Sequence, residues 1–267
     1  MGRSKATTNT SPTSWQASNR VKKPITFHPF GKIGAPSRIG ISVNSSWQQT
    51  MRQRRITGID NAVINLDKAL RTMFSTPLPG RPNPADENGN NALDDTLSPE
   101  EARLSGALMR VNHAGEICAQ ALYQGQGLTA RSQRIRRAMQ QASDEENDHL
   151  AWCQARLDEL GEHRSRLTPV WFMGSFTLGS LAGAFGDRWS LGFLAETERQ
   201  VVRHLDGHLK RLPAGDARSR RIVEQMKIDE GRHASHAVSA GGRELPGFVK
   251  KAMHAVSRIM TTAAARI

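Results

Sequence analysis

Residues 135–160 read IRRAMQQASDEENDHLAWCQARLDEL, and the fold turns on which of these residues share a face. Ile135, Met139, Ala142, Glu146, His149, Cys153, Leu157 and Leu160 recur at steps of three or four, the spacing of one stripe along an α-helix. The stripe is apolar at both ends and carries a carboxylate and an imidazole one turn apart in its middle. Residues 222–240 repeat the design with Ile222, Met226, Glu230, His233, Ala237 and Ala240. A third stripe, Leu191, Leu194, Glu198, Val201, Leu205, Leu209 and Leu212, holds another interior carboxylate. Glu196 falls about 200° away around that helix, with Gln200, Arg203 and Lys210 on the side expected to face solvent. Further upstream, Glu116 sits among Ala114, Gly115 and Ala119, one turn after Asn112 and His113.

Working outward, Ser98-Pro99-Glu100-Glu101 is a capping box with Pro at the first helical position, a start signal for the ordered body. From there no alternating run of strand length follows. Helices are predicted near 99–127, 131–160, 169–185, 188–212, 216–240 and 246–263, broken at Gly161, Pro169, Pro213-Ala214-Gly215 and Gly241-Gly242. The fold class is all-α. Upstream, Ile64, Leu66, Leu70 and Met73 give a short helical pattern from Asp60 to Pro77, and a Pro/Asn/Gly linker runs on to Asp95. The chain thus divides into an N-terminal extension at 1–59, a short helix and linker at 60–97, and a helical domain at 98–267.

The net charge of +12 over 267 residues invites a nucleic-acid reading, but its distribution argues against one. No acidic residue precedes Asp60, and residues 1–59 hold ten Lys and Arg, which leaves 27 basic against 25 acidic residues beyond them. That extension is rich in Ser, Thr, Arg, Pro and Gly without a sustained period, a composition expected to be disordered. It lacks regularly interleaved aromatics, so no nucleic-acid partner is expected. Translation beginning at Met51 would remove most of it. Cys118 and Cys153 have no paired spacing for a disulfide framework or thiolate zinc site, and no apolar signal segment is present, so a reducing, cytosolic compartment is expected.

Four interior carboxylates and two interior imidazoles make no sense as core, because buried like charges repel and lose hydration. Two divalent cations resolve the conflict: four Glu neutralise two such ions, and one His per ion adds a nitrogen ligand suited to iron or manganese. The order Glu, Glu-x-x-His, Glu, Glu-x-x-His is that of ferritin-like di-iron bundles, in which two helices give one Glu each and two give Glu-x-x-His. Glu116 to Glu146 spans 30 residues and Glu198 to Glu230 spans 32, so the site reads as two similar helix hairpins. The expected architecture is a four-helix bundle with two additional helices. His204, His208 and His236 are assigned outer or solvated positions, and both cysteines the role of buried small residues.

Arg110-Val111-Asn112-His113-Ala114-Gly115-Glu116, Glu146-Asn147-Asp148-His149-Leu150, Glu196-Thr197-Glu198 leading to His204, and Asp229-Glu230-Gly231-Arg232-His233 together resemble the demethoxyubiquinone hydroxylase family of ubiquinone biosynthesis. The resemblance covers about Asp60 to the end. It implies two iron ions held by Glu116, Glu146, His149, Glu198, Glu230 and His233. It also implies hydroxylation of 2-polyprenyl-3-methyl-6-methoxy-1,4-benzoquinol with O₂ and two electrons. No dinucleotide-binding Gly pattern in a strand–helix context is present, which leaves NADH acting directly or through a partner, or the quinol itself, as electron source. The rival reading is a ferritin-like iron-binding, ferroxidase or peroxide-scavenging protein, from which an apolar access route would distinguish the hydroxylase.

Leu167 to Gly186 is twenty residues without a formal charge. Pro169 and its many Gly and Ser argue against a span, and a span would draw Glu198 away from the bundle. A helix lying at the membrane surface is expected, with Trp171 and Trp189 near the interface, and an ordinary buried core helix is the alternative. The resemblance places the protein peripherally on the cytoplasmic face of the bacterial inner membrane, in company with other ubiquinone-biosynthesis proteins.

Overall fold

The computed structural model describes residues 58–86 and 97–267. The expected disorder of the N-terminal extension falls outside these residues, as do the last predicted linker positions. Among these residues seven α-helices follow one another: α1 (Gly58–Phe74), α2 (Pro99–Thr129), α3 (Gln133–Glu159), α4 (Thr168–Ala184), α5 (Asp187–Arg211), α6 (Ala217–Ser239) and α7 (Gly247–Ala264), with one 3₁₀ turn at Pro84–Asp86. Among the described residues there is no strand. Each of the six later helices lies within two residues of its predicted bounds, because the caps that sequence can show are made. Ser98 accepts from the Glu101 amide while the Glu101 carboxylate accepts from the Ser98 amide, and Ser132 and Asp216 cap α3 and α6 in the same sense.

Helices α2, α3, α5 and α6 form a ferritin-like four-helix bundle, with α4 and α7 as the two additions. One apolar cluster unites Leu108, Met109, Trp152, Cys153, Leu157, Leu205, Leu212, Ile222, Val223 and Met226 from all four helices. A second unites Leu122, Tyr123, Ile135, Met139, Leu191, Leu194 and Ala237, again from all four. Along each helix the polar interior residues fall between these two clusters, so hydrophobic layers brace the site from both ends.

Helix α4 explains its own glycines. A Cβ at Gly179 would lie 2.2 Å from the Leu122 carbonyl oxygen, one at Gly125 would lie 2.3 Å from that of Phe176, and one at Gly183 would lie 2.0 Å from Thr129 Oγ1. Backbones of α2 and α4 therefore meet with nothing between them, and Phe172 is sunk against Ile117, Ala121 and Leu150. The opposite face stays open: Val170, Met173, Leu181 and Phe185 are more than half exposed. One face of α4 is thus packed like a core helix, and the other is apolar and exposed. No helix among the described residues is long and apolar enough to cross a membrane.

The short helix predicted from Asp60 forms as α1, with Thr72 and Met73 buried and Ile64, Leu66 and Leu70 exposed. One sequence expectation is corrected. In α5, Glu196 is buried rather than solvated, because α7 lies over it: Gln200 and Arg203 donate to its Oε1, and Lys250 Nζ lies 3.9 Å from Oε2.

Candidate metal centre

The bundle brings all six sequence-predicted residues together at its middle. They form two overlapping sets, Glu116, Glu146, His149 and Glu230, and Glu146, Glu198, Glu230 and His233, within each of which the donor atoms lie within 4.8 Å of one another. Every member is buried, with His233 the most exposed at 7%. Glu146 and Glu230 belong to both sets, and the distances show how they are shared. His149 Nδ1 lies 2.9 Å from Glu146 Oε2 and 3.0 Å from Glu230 Oε1, while His233 Nδ1 lies 3.2 Å from Glu146 Oε1 and 3.1 Å from Glu230 Oε2. Each shared carboxylate therefore turns one oxygen to each imidazole. Glu116 and Glu198 belong to one set apiece.

The outer contacts are crossed between the hairpins. His149, on α3, meets Asp229 Oδ2 of α6 through Nε2 at 3.1 Å, and His233, on α6, meets Glu145 Oε2 of α3 through Nε2 at 2.8 Å. In both cases the accepting residue is the neighbour just before a shared glutamate. A histidine whose Nε2–H is held by a carboxylate has its Nδ1 aimed and made more basic, the usual support of a metal-bound imidazole. Asp148, buried beside them, accepts from the Gly80 amide at 2.6 Å and pairs with Arg81 Nε at 2.6 Å. Arg81 Nη1 reaches Asp229 Oδ2 at 2.9 Å. Sequence reading missed Asp229, Glu145, Asp148 and Arg81. The first three flank the stripe residues and carried a weak signal in DEENDH and DEGRH, whereas Arg81 lies in a segment without period.

Electrostatics pull these groups apart. Burial, reinforced by the charges of Glu146 and Glu230, holds Glu116 well above the ordinary carboxylate range. Burial and the Glu230 charge do the same to Glu198. Burial opposes ionisation of Glu146 too, but the charges and hydrogen bonds of His149 and His233 override it and hold that carboxyl low. Burial likewise opposes charge on His233, yet Glu146 and Glu230 push it up to about 12. Glu198 Oε1 accepts no hydrogen bond among the described residues. A buried acceptor left so, within a set of carboxylates that share too few protons, fits a divalent cation as its counter-charge. The donor spacings near 3 Å also suit a small ion, since ligands about 2.1 Å from an octahedral centre lie about 3.0 Å apart.

Other candidate residues stay outside both sets. His208 is buried rather than solvated, its ring centroid 3.9 Å from that of His204, and His236 is exposed. Cys153 is buried near Met226 Sδ at 3.7 Å, and Cys118 is partly buried. Arg110 of the RVNHAGE stretch is a brace: it donates to the carbonyls of His163 and Ala265 and pairs with Glu162, tying α2 to the α3–α4 turn and the end of α7.

Bundles with this double set of carboxylates and imidazoles make up the ferritin-like class suited to hold a pair of metal ions in a dry core. Sequence comparison narrows the class. A family model described as ubiquinone biosynthesis protein COQ7 matches residues 103–264. Proteins named 3-demethoxyubiquinol 3-hydroxylase are 56% identical in Nitrosococcus oceani over 215 residues, covering 80% of this chain and 99% of that protein, and 56% identical in Azoarcus sp. over 208 residues, covering 78% and 99%. The relative of that name in Nitrosomonas europaea is 56% identical over 206 residues, covering 77% of this chain and 97% of its own length. The chain belongs to the COQ7 family of ubiquinone biosynthesis proteins.

Proposed function

We propose that this protein is a 3-demethoxyubiquinol 3-hydroxylase that works through a pair of iron ions held by Glu116, Glu146, His149, Glu198, Glu230 and His233. The observation that carries the reading is the sharing of Glu146 and Glu230 between two sets of donors, each with its own histidine, in a chain whose relatives bear that name over nearly their whole length. The reaction balances as insertion of one oxygen atom into a ring C–H bond of the quinol, with O₂, two electrons and two protons consumed and one water released. Bound iron supplies the one-electron chemistry that lets O₂ react with a closed-shell quinol. The chain's residues supply the rest. Asp229 and Glu145 hold the two imidazoles in one orientation by accepting from Nε2. Glu146 and Glu230 face both halves and keep them close. Trp152, Met226 and Cys153 below, with Leu194 and Met139 above, exclude water from the reacting groups.

An apolar cavity on the side of α4 and α5 favours this reading over an iron store or peroxide scavenger. Leu178, Leu181, Ala182, Phe185, Trp189, Phe193, Leu245 and Val249 line a cavity of about 300 Å³ between α4, α5 and the start of α7. It opens beside the exposed apolar faces of α4 and of α7, where Phe248, Val256 and Ile259 stand more than half exposed near Lys250, Lys251 and Arg258. These features support peripheral binding to the cytoplasmic face of the inner membrane, from which a polyprenyl quinol would reach the bundle. The test is anaerobic loading with Fe²⁺ followed by O₂ and a demethoxyubiquinol analogue, with the di-iron spectrum and the product mass read together. A product heavier by one oxygen supports the reading. Iron oxidation without any change in the quinol supports the ferroxidase instead.

A further inference from the structure

We propose that Arg81 is a positioning residue of the metal centre, which clamps Asp148 and Asp229 from outside the bundle and so makes the half-site of His149 the more rigid and tighter of the two. The inference rests on the di-metal reading above.

From the segment before α2, the Arg81 side chain reaches both Asp148 and Asp229. The Arg81 guanidinium spans two helices, with Nε 2.6 Å from Asp148 Oδ2 on α3 and Nη1 2.9 Å from Asp229 Oδ2 on α6, and it stacks over the Trp152 ring at 4.8 Å. The oxygen of Asp229 that it grips is the one that meets His149 Nε2 at 3.1 Å. A planar fork holds both carboxylates in fixed directions, which the rotating donors of an ammonium do not fix. The segment around it is anchored on both sides. Asn147 donates to the Leu78 carbonyl at 2.6 Å, and the Gly80 amide donates to Asp148. Beyond Arg81, Ala85 enters the core, Arg221 donates to its carbonyl at 3.0 Å, and Arg218 meets Asp86 at 2.9 Å. The clamp is therefore built into the body and is not a passing surface contact.

The other half-site repeats the crossed hydrogen bond with a looser clamp. His233 leans on Glu145, whose side chain is 27% exposed, and the cation there is Arg232, 47% exposed, which lies 2.9 Å from Glu145 Oε2 and 3.2 Å from Asp229 Oδ1 on its own helix. On the His149 side both clamped carboxylates are nearly buried, Asp148 at 8% and Asp229 at 2%. Two halves of like design thus differ in how firmly the imidazole is held.

Stepwise titration of the full-length, metal-stripped protein with Co²⁺, followed by calorimetry and by visible absorption, tests this. The wild type is expected to bind two ions. Arg81→Ala should keep one at wild-type affinity and weaken the other about 10–100-fold, the usual effect of losing a residue that supports a ligand. Arg81→Lys should fall between. Arg81→Ala combined with Asp229→Asn should lose little more than either change alone, because both break one chain of contacts. Arg71→Ala, which removes a pair exposed on α1, should leave both ions unchanged. Two unaltered affinities in Arg81→Ala overturn the proposal. So does equal weakening of both ions together with a lower melting point of the metal-stripped protein, which would mark Arg81 as a general fold brace. A wild type that takes up no pair of ions would instead overturn the di-metal reading and this inference with it.

Discussion

Replacing Glu198 by Gln should make the metal-stripped protein more stable while removing its capacity for a second ion. Glu198 is 1% exposed, one of its oxygens accepts no hydrogen bond among the described residues, and its donor set includes Glu146 and Glu230 within 4.8 Å. Two unit charges at that distance repel by about 3.5 kcal/mol at an effective dielectric constant of about 20. Without a cation the fold avoids much of that repulsion by keeping Glu198 protonated, since burial and Glu230 raise its pKa well above the ordinary value. Its free-energy loss at neutral pH is then that of holding the proton. Gln keeps the shape and removes the need for one, so a gain of about 1–3 kcal/mol is expected, in line with neutral replacements of buried charged groups. For a body of this size each kcal/mol moves the melting point by about 2–4 °C. Thermal unfolding in a chelator measures the gain, and metal analysis after reloading measures the loss, expected to be one of two ions. With metal present the order should invert, the wild type melting higher. A metal-stripped Glu198→Gln protein that melts below the wild type, or one that still carries two ions, would refute the view that this carboxylate is kept for a cation at the expense of the fold.

Glu196→Ala should retain both ions and lose only modest stability, because its partners are Gln200, Arg203 and Lys250 of the α5–α7 contact; metal content checks it. Metal affinity should rise with pH between about pH 5 and about pH 8, because the proposed ligands Glu116, Glu198, His149 and His233 all have raised pKa values in the protein alone. Each proton they hold must leave for an ion to bind, so the gap in melting point between loaded and stripped protein should widen as pH rises. A gap that narrows would contradict the assignment. Gly179→Ala should destabilise by about 1–3 kcal/mol despite its better helix propensity, since the new methyl meets the Leu122 backbone and α2 must part from α4; chemical denaturation reads it. Met173→Ser, Leu181→Ser and Phe185→Ser combined should weaken co-sedimentation with anionic liposomes and lower turnover of long-tail more than short-tail quinols. Equal loss on both substrates with unchanged liposome binding would count against membrane access through α4.

Much of this architecture is legible in the sequence because the bundle helices are amphipathic with a sharp period. An apolar stripe such as Ile222, Met226, Ala237 interrupted by Glu230 and His233 forces those two into the core whatever their polarity, so burial of the cluster follows from spacing alone. Glu196 was misread because periodicity describes one helix by itself, whereas its cover comes from α7, some fifty residues later. In α1 the pattern does mark a helix, although Ile64, Leu66 and Leu70 are exposed among the described residues. Arg81 was invisible for a different reason. It sits in a Pro-rich stretch where no period exists, and its partners are 67 and 148 residues away, so only the three-dimensional closeness of α3 and α6 gives it a role.

The crossed hydrogen bonds carry a consequence for how the molecule comes apart. Each hairpin donates its histidine to a carboxylate of the other, His149 to Asp229 and His233 to Glu145, and Glu146 and Glu230 each turn toward both imidazoles. A lone hairpin therefore has no finished half-site; it would build one only by pairing with a second copy of itself. In the intact chain, ions bound between the hairpins would act as rivets across the seam. Peeling α5–α6 from α2–α3 would break both at once, so loaded protein should open in a single cooperative event, and hydrogen exchange along all four helices should slow together when metal is added.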